Sequence, residues 1–291
     1  MQNFGKSHFY NINKGGYYNM NKFEEMYKDN NTLLPSPYDG RDYHLDSLIP
    51  RGAMEIPDTY ETERTPFIYD QGNSNECAAC SYNTIRFLQE ADIENGGSGI
   101  PDKFAPSFNY ANRPAGEDFE GMYLRTVCSK GREGSIPWSV FPGFYNYAKC
   151  KMEFYNNKDK WLEMASDFAI TSFYQCTHRE QMQQAIMECK GIIAGIPVYD
   201  SLYNVGPDGI IHYDPSTDTK NHGGHAITLV GWKKDEDGKM WWRMQNSWGE
   251  DWADHGRAWL PESYPFIENP WAVVDYNIST KWDEYRAKYN L

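Results

Sequence analysis

Tyr69-Asp70-Gln71-Gly72-Asn73-Ser74-Asn75-Glu76-Cys77-Ala78-Ala79 places a glutamine six residues ahead of a cysteine. From Ala78 onward the apolar positions Tyr82, Ile85 and Leu88 keep helical spacing, and Gly96-Gly97 predicts where that helix stops. A cysteine in the first turn of a helix sits at the positive end of the macrodipole, among unpaired backbone N–H groups. Both favour the thiolate, which is the nucleophilic form. Free cysteine is also among the most buried residue types. On this stretch alone an inert buried thiol is an equal reading.

Two stretches far downstream change that balance. Gly223-Gly224-His225-Ala226-Ile227-Thr228-Leu229-Val230-Gly231-Trp232 is a histidine followed by a nearly continuous apolar run. After a charged turn at Asp237-Gly238 comes Met240-Trp241-Trp242-Arg243-Met244-Gln245-Asn246-Ser247-Trp248-Gly249. The pattern predicts two strands joined by that turn, with His225 at the start of one and Asn246 at the end of its neighbour. Cysteine, histidine and asparagine, distant in sequence, are the parts of thiol-based acyl transfer. In that chemistry His225 takes the thiol proton and later gives it to the leaving amine, while the Asn246 amide fixes the imidazole. Gln71 offers a side-chain N–H to a developing oxyanion beside the backbone N–H of Cys77. Trp248 would cover the His225–Asn246 contact.

These same runs, together with Trp252 and Gly256, resemble the papain family of cysteine peptidases over roughly Asp42 to Pro261. Tyr69-Asp70-Gln71-Gly72 and Ala105-Pro106-Ser107 are similar to its bacterial and phage branch. The resemblance implies an α+β, papain-like fold of two subdomains, a helical half and an antiparallel β-rich half, with the active-site cleft between them. It implies peptide-bond hydrolysis through a thiolate–imidazolium pair, with a peptide or protein as substrate. It also assigns the nucleophile. The family's glutamine-to-nucleophile distance is six, which lands on Cys77, whereas Cys80 lies nine away. The family's disulfide-bonded cysteine would fall at Ser74, so that bridge is not expected, and Cys80 is expected to pack in the core. Gly121, after Glu120, falls where relatives carry a glycine wall for substrate backbone, and Gly224 and Trp248 join it as substrate-binding positions. This chain departs from the plant enzymes at Ala78, where they carry tryptophan. Glu76 places a carboxylate directly before the thiol, which raises a thiol pKa if it faces the cleft and matters little if it faces solvent.

The 291 residues suit one large domain or two subdomains. The expected division is a leader over 1–40, a helical subdomain over 41–165 and a β-rich subdomain over 166–291 with a C-terminal extension. A net charge of −13 argues against nucleic acid and anionic membrane surfaces as partners. The leader, rich in Asn, Lys, Tyr and Gly, shows no signal-peptide core, and no run approaches a membrane span. It is the candidate autoinhibitory segment, with a tail docked elsewhere as the other reading. Six scattered cysteines, one assigned as nucleophile, leave an odd number, which fits a reducing cytoplasm better than a disulfide framework. Release by lysis is the alternative.

Further strands are expected at Phe168 to Tyr174 and Ile192 to Tyr199, and helices at Met122 to Lys130 and after a capping box at Thr177-His178-Arg179-Glu180. No cofactor is implied. Cys77-x-x-Cys80 with His222-x-x-His225 forms a rival zinc pattern. The gap of about 140 residues and the unexplained Gln71 and Asn-Ser-Trp-Gly run weigh against it. His255 is expected in a turn. Two other outcomes share the fold: a non-catalytic binding module, and a transpeptidase or ligase that passes the acyl group to an amine.

Overall fold

A computed structural model describes residues 31–48, 54–92, 97–114, 120–141, 147–276 and 282–291. Most of the leader and the expected glycine stop at Gly96 lie outside the described residues. The helix expected after Glu76 is α1, Cys77–Ala91. Its spacing suggests one apolar face, yet Asn83 and Arg86 are fully buried and Glu90 nearly so. A helix buried on every side must pair its polar groups internally. Asn83 Nδ2 donates to the Ala79 carbonyl and to Asn109 Oδ1, each at 2.8 Å. Arg86 is ion-paired with Glu90 at 2.5 Å and with Asp275 at 2.8 Å. Gln89 Nε2 donates to the carbonyls of Cys189 and Val273. These ties anchor the C-terminal turns of α1 to the sheet and so aim its first residue.

Around α1 lie α2 (Pro106–Ala111), α3 (Leu124–Gly131), α4 (Tyr147–Asn156) and α5 (Lys158–Ala165). Pro106 occupies the first helical position of α2, where its missing N–H and fixed φ do no harm. Phe108 meets Phe141 and Phe154 edge-on, and Phe141 meets Trp161 the same way, which builds an aromatic core for this half.

The β-rich half is one antiparallel sheet of β1 (Thr59–Glu61), β2 (Ser172–Gln175), β3 (Ile192–Pro197), β4 (Gly224–Lys234), β5 (Met240–Gln245), β6 (Arg257–Pro261) and β7 (Trp271–Val274). Its order is β2-β7-β3-β4-β5-β6, with β1 paired to β4 beyond the end of β3. The whole is an α+β architecture, as expected. β4 is buried from Gly224 to Trp232, because both faces of the sheet are covered. Side chains alternate between two cores. Ile227 and Leu229 face the cluster that includes Ile186 of α6 (Arg179–Cys189), and Ala226 faces the cluster holding Cys77 and Ile85 of α1.

The cap of α6 differs from the expected box. His178 accepts from the Gln181 N–H, and Gln181 Oε1 accepts from the Thr177 N–H at 2.6 Å, so glutamine replaces Glu180 as the reaching-back residue. The strand expected from Phe168 begins at Ser172, after a 3-10 turn at Ser166–Phe168. A short α7 (Asp200–Tyr203) follows β3. The last helix, α8 (Trp282–Tyr289), returns to the helical half, where Tyr285 packs on Phe168. Among the described residues no helix is long and apolar enough to cross a membrane.

Candidate active site

Antiparallel pairing of β4 with β5 sets Thr228 opposite Gln245, which brings the start of β4 beside the residue that follows β5. His225 Nε2 and Asn246 Oδ1 are 2.7 Å apart, and both residues are buried. An amide oxygen only accepts, so Nε2 carries the proton and Nδ1 is left with a lone pair. That Nδ1 has no hydrogen-bond partner among the described residues. Asn246 Oδ1 also accepts from the Ser247 N–H at 2.8 Å, which holds the amide in place. The Trp248 ring lies 5.0 Å from the imidazole centroid and stacks on Tyr203 at 5.5 Å. Two aromatic rings, Trp248 and then Tyr203, are thus layered beside the imidazole.

Cys77 is the first residue of α1. Ala226, the neighbour of His225, packs in one apolar cluster with Cys77, and the backbone N–H groups of Ala226, Ala78 and Cys77 itself pull the thiol pKa down. Thr228 Oγ1 donates to the Ser81 carbonyl at 3.1 Å and holds α1 on β4. The helix tip and the histidine strand thus meet at Cys77. Burial pushes the Cys77 thiol up to about 11 and the His225 imidazole down to about 4. The expectation of a thiolate favoured by the helix terminus is not met in this closed site, because desolvation outweighs the backbone donors. Each group alone is held neutral.

Gln71 is gripped at three points. Its N–H donates to the Ser247 carbonyl at 2.9 Å, its Oε1 accepts from Ser247 Oγ at 2.6 Å, and its Nε2 donates to the Ser74 carbonyl at 2.9 Å. A primary amide has two N–H groups, so Nε2 keeps a second donor. Ser247, to which the sequence reading gave no role, holds Gln71 through two of these bonds. Its signal was its place next to Asn246 in the Asn-Ser-Trp-Gly run.

Gly121 and Gly224 lie on either side of a strap formed by residues 31–33. The Gly224 N–H donates to the Asn31 carbonyl at 3.2 Å, and its carbonyl accepts from the Leu33 N–H at 3.0 Å. Thr32 Oγ1 donates to the carbonyl of Glu120, and Arg113 donates to that of Gly121. A Cβ on Gly224 would stand 2.1 Å from the Leu33 carbonyl oxygen, so only glycine admits the strap here. The Leu33 side chain is 3% exposed and packs in one cluster with Cys77, Met122, Leu124 and Ala226. Ser36 then donates from its N–H and hydroxyl to the two oxygens of Glu268, at 3.1 and 2.9 Å.

Glu76 faces neither bulk solvent nor an ion-pair partner at contact distance. It is 6% exposed, its Oε1 is unpartnered, and desolvation pushes its carboxyl up to about 8 against the pull of Arg113. A carboxyl with a raised folded pKa contributes fully below its unfolded value of 4.5, and that contribution is lost as pH rises towards about 8. Glu76→Gln therefore stabilises the fold by about 2–3 kcal/mol at neutral pH and by under about 0.5 kcal/mol near the unfolded pKa. Urea unfolding at the two pH values measures the difference.

Of the remaining candidates, His222 turns to Asp200 at 2.6 Å, and His255 lies in a turn with φ 48°. All six cysteines are buried and free, Cys80 among them.

The family pattern described as papain family cysteine protease matches residues 107–264. A cathepsin B-like protein of Giardia intestinalis, CP3, is 50% identical over 273 residues, covering 81% of this chain and 80% of that protein. Cathepsin B-like cysteine proteinase 3 of Ostertagia ostertagi is 28% identical over 146 residues, which is 47% of this chain and 80% of that one. Among solved structures, xylellain, a cysteine protease from Xylella fastidiosa, superposes with a TM-score of 0.69 at 21% identity, over 84% of this chain and 96% of its own. Digestive procathepsin L 3 of Tenebrio molitor gives 0.61 at 14% identity, over 86% and 78%.

Proposed function

The chain belongs to the papain family of cysteine proteases, which are hydrolases, and from that premise we propose that Cys77, His225, Asn246 and Gln71 carry out its peptide hydrolysis. The observation that carries this reading is the His225–Asn246 bond at 2.7 Å, which leaves Nδ1 unpartnered at the strand that meets Cys77. Residues 41–165 and 166–291 supply the two walls of the cleft, with Cys77 on one and His225 on the other.

A peptide enters with its scissile carbonyl oxygen between the second N–H of Gln71 Nε2 and the Cys77 backbone N–H. The Cys77 proton passes to His225 Nδ1, and the sulfur attacks the carbonyl carbon. Gln71 and the helix tip hold the negative oxygen as the tetrahedral adduct forms. Collapse breaks the C–N bond, and His225 hands its proton to the departing amine. His225 then takes a proton from water, which attacks the thioester and releases the acid. Asn246 keeps the imidazole plane aimed through both transfers, and Trp248 keeps water from competing for Asn246 Oδ1.

Asn246→Ala leaves His225 Nε2 without its acceptor in a dry site. Losing such a buried bond costs about 1–3 kcal/mol, so kcat falls by roughly tenfold to a hundredfold. KM should change little, because Asn246 acts through His225. Steady-state kinetics on a fluorogenic peptide checks the split.

The strap at residues 31–33 supports an autoinhibitory leader, since it pairs with Gly224 and lays Leu33 in the same apolar cluster as Cys77. Several similar solved structures are proforms. The direct test of the site is labelling with a peptidyl electrophile, followed by mapping. The expected label is on Cys77, and a label on any other residue overturns the assignment.

A further inference from the structure

Cys80 stands one helical turn beyond Cys77 on α1 and has no part in the hydrolysis described above. Its N–H makes the first bond of the helix, to the Glu76 carbonyl at 2.8 Å, and its carbonyl accepts from Thr84 Oγ1. Side chains three apart in a helix share a face, with Cβ atoms about 5–6 Å apart. A disulfide needs them at about 3.5–4.5 Å. The gap closes by tightening a single turn, and here that turn is the helix terminus, where the Cys77 N–H has no intrahelical acceptor to lose. Cys80 belongs to none of the four apolar clusters. Cys80 is 2% exposed, and burial pushes its thiol well above the ordinary range, with Glu76, Cys77 and Asp70 adding to the push and Lys103 opposing it.

We propose that Cys80 is a resolving thiol, so that a peroxide converts the Cys77–Cys80 pair into a reversible disulfide that switches the protease off. This rests on Cys77 being the nucleophile, and the oxidation takes place in the open form of the cleft, since under the strap the Cys77 thiol is buried and held neutral. The Cys77 sulfur attacks one peroxide oxygen, the O–O bond breaks, and the displaced hydroxide leaves as water with the thiol proton. Cys77 is now a sulfenic acid, oxidised by two electrons. The Cys80 sulfur attacks it, the S–OH bond breaks, and the hydroxide takes the Cys80 proton to leave as a second water. Two thiols and one peroxide give one disulfide and two waters. Without Cys80, further peroxide carries Cys77 to the sulfinic acid, which thiols do not reduce.

The test treats the full chain with hydrogen peroxide, blocks free thiols, and maps the tryptic peptide from Thr65 to Arg86. That peptide holds Cys77 and Cys80 and no other cysteine. The expected product is this peptide unblocked and lighter by two hydrogens, with activity lost about tenfold or more and returned by dithiothreitol. Cys80→Ala and Cys80→Ser start with ordinary activity, lose it as fast, and recover less than about a tenth under reductant. A sulfinic acid at Cys77 in the wild type, or equal recovery with and without Cys80, overturns the proposal, as does a Cys77 that peroxide leaves unmodified. Peptidyl electrophile on the untreated protein separates the two readings. A label away from Cys77 sinks the nucleophile assignment, whereas a label on Cys77 without the disulfide sinks only the switch.

Discussion

Cys77→Ala abolishes peptide hydrolysis, lowering kcat/KM by about 10,000-fold or more, while leaving the protein folded. The size follows from the chemistry. On the proposed mechanism the sulfur alone forms the acyl intermediate, and His225 without a sulfur partner is an imidazole that burial holds neutral. The residual rate is what Gln71 and the helix tip provide by polarising a bound carbonyl towards water. The fold survives because alanine is the best helix former and Cys77 makes no disulfide. The ties that hold α1, through Arg86, Gln89 and Thr228, lie elsewhere. Cys80→Ala is the informative companion. It removes a buried thiol and is expected to change kcat/KM by less than about threefold, with a modest loss of stability. Kinetics with circular dichroism on both variants decides the register. Loss of activity in Cys80→Ala with retention in Cys77→Ala would move the nucleophile by one turn and reassign Gln71 with it.

How far the sequence carried this site depends on the kind of interaction. Helical spacing after Cys77 and the two apolar runs around Asp237-Gly238 are local patterns, and they appear as α1, β4 and β5 close to the expected bounds. The pairing of His225 with Asn246 was legible because an antiparallel hairpin fixes which ends meet. What could not be read was set by distance in the chain. Nothing local says that Asp275 comes back to neutralise Arg86, so α1 read as amphipathic when it is buried all round. Ser247 was read only as part of the Asn-Ser-Trp-Gly run, because its partner, Gln71, is 176 residues away. β1 was missed as a strand since three residues, Thr59 to Glu61, carry too little periodicity to register. The thiolate expectation failed for a related reason. A helix dipole is a local property, whereas the burial that opposes it at Cys77 belongs to a cluster drawn from distant parts of the chain, Leu33 and Ala226 among them.

That dependence on Leu33 makes the second large effect, which we expect from Leu33→Asp in the full chain: Cys77 reacts with a peptidyl electrophile about a thousandfold faster than in the wild type. Leu33 is 3% exposed, and full burial of a leucine stabilises by about 1.5–3 kcal/mol. Aspartate forfeits that contribution and adds the cost of an unpaired carboxylate, for which Met122, Leu124 and Ala226 offer no donor side chain. Together these exceed about 4 kcal/mol, which is roughly a thousandfold in the open fraction of the cleft. Opening also admits water to the site, so the upward push on the Cys77 thiol and the downward push on His225 both relax towards ordinary values. The two effects act in the same direction on the rate. Ser36→Ala serves as the graded control, because it removes the hydroxyl bond to Glu268 and the bond that hydroxyl accepts from the Arg125 N–H, and leaves the Ser36 N–H bond to the Glu268 carboxylate in place. It should raise the rate only about tenfold, in line with about 1–2 kcal/mol for two partly exposed hydrogen bonds. An unchanged labelling rate in Leu33→Asp, with Cys77 still the labelled residue, would mean that the strap lies over the site without gating it.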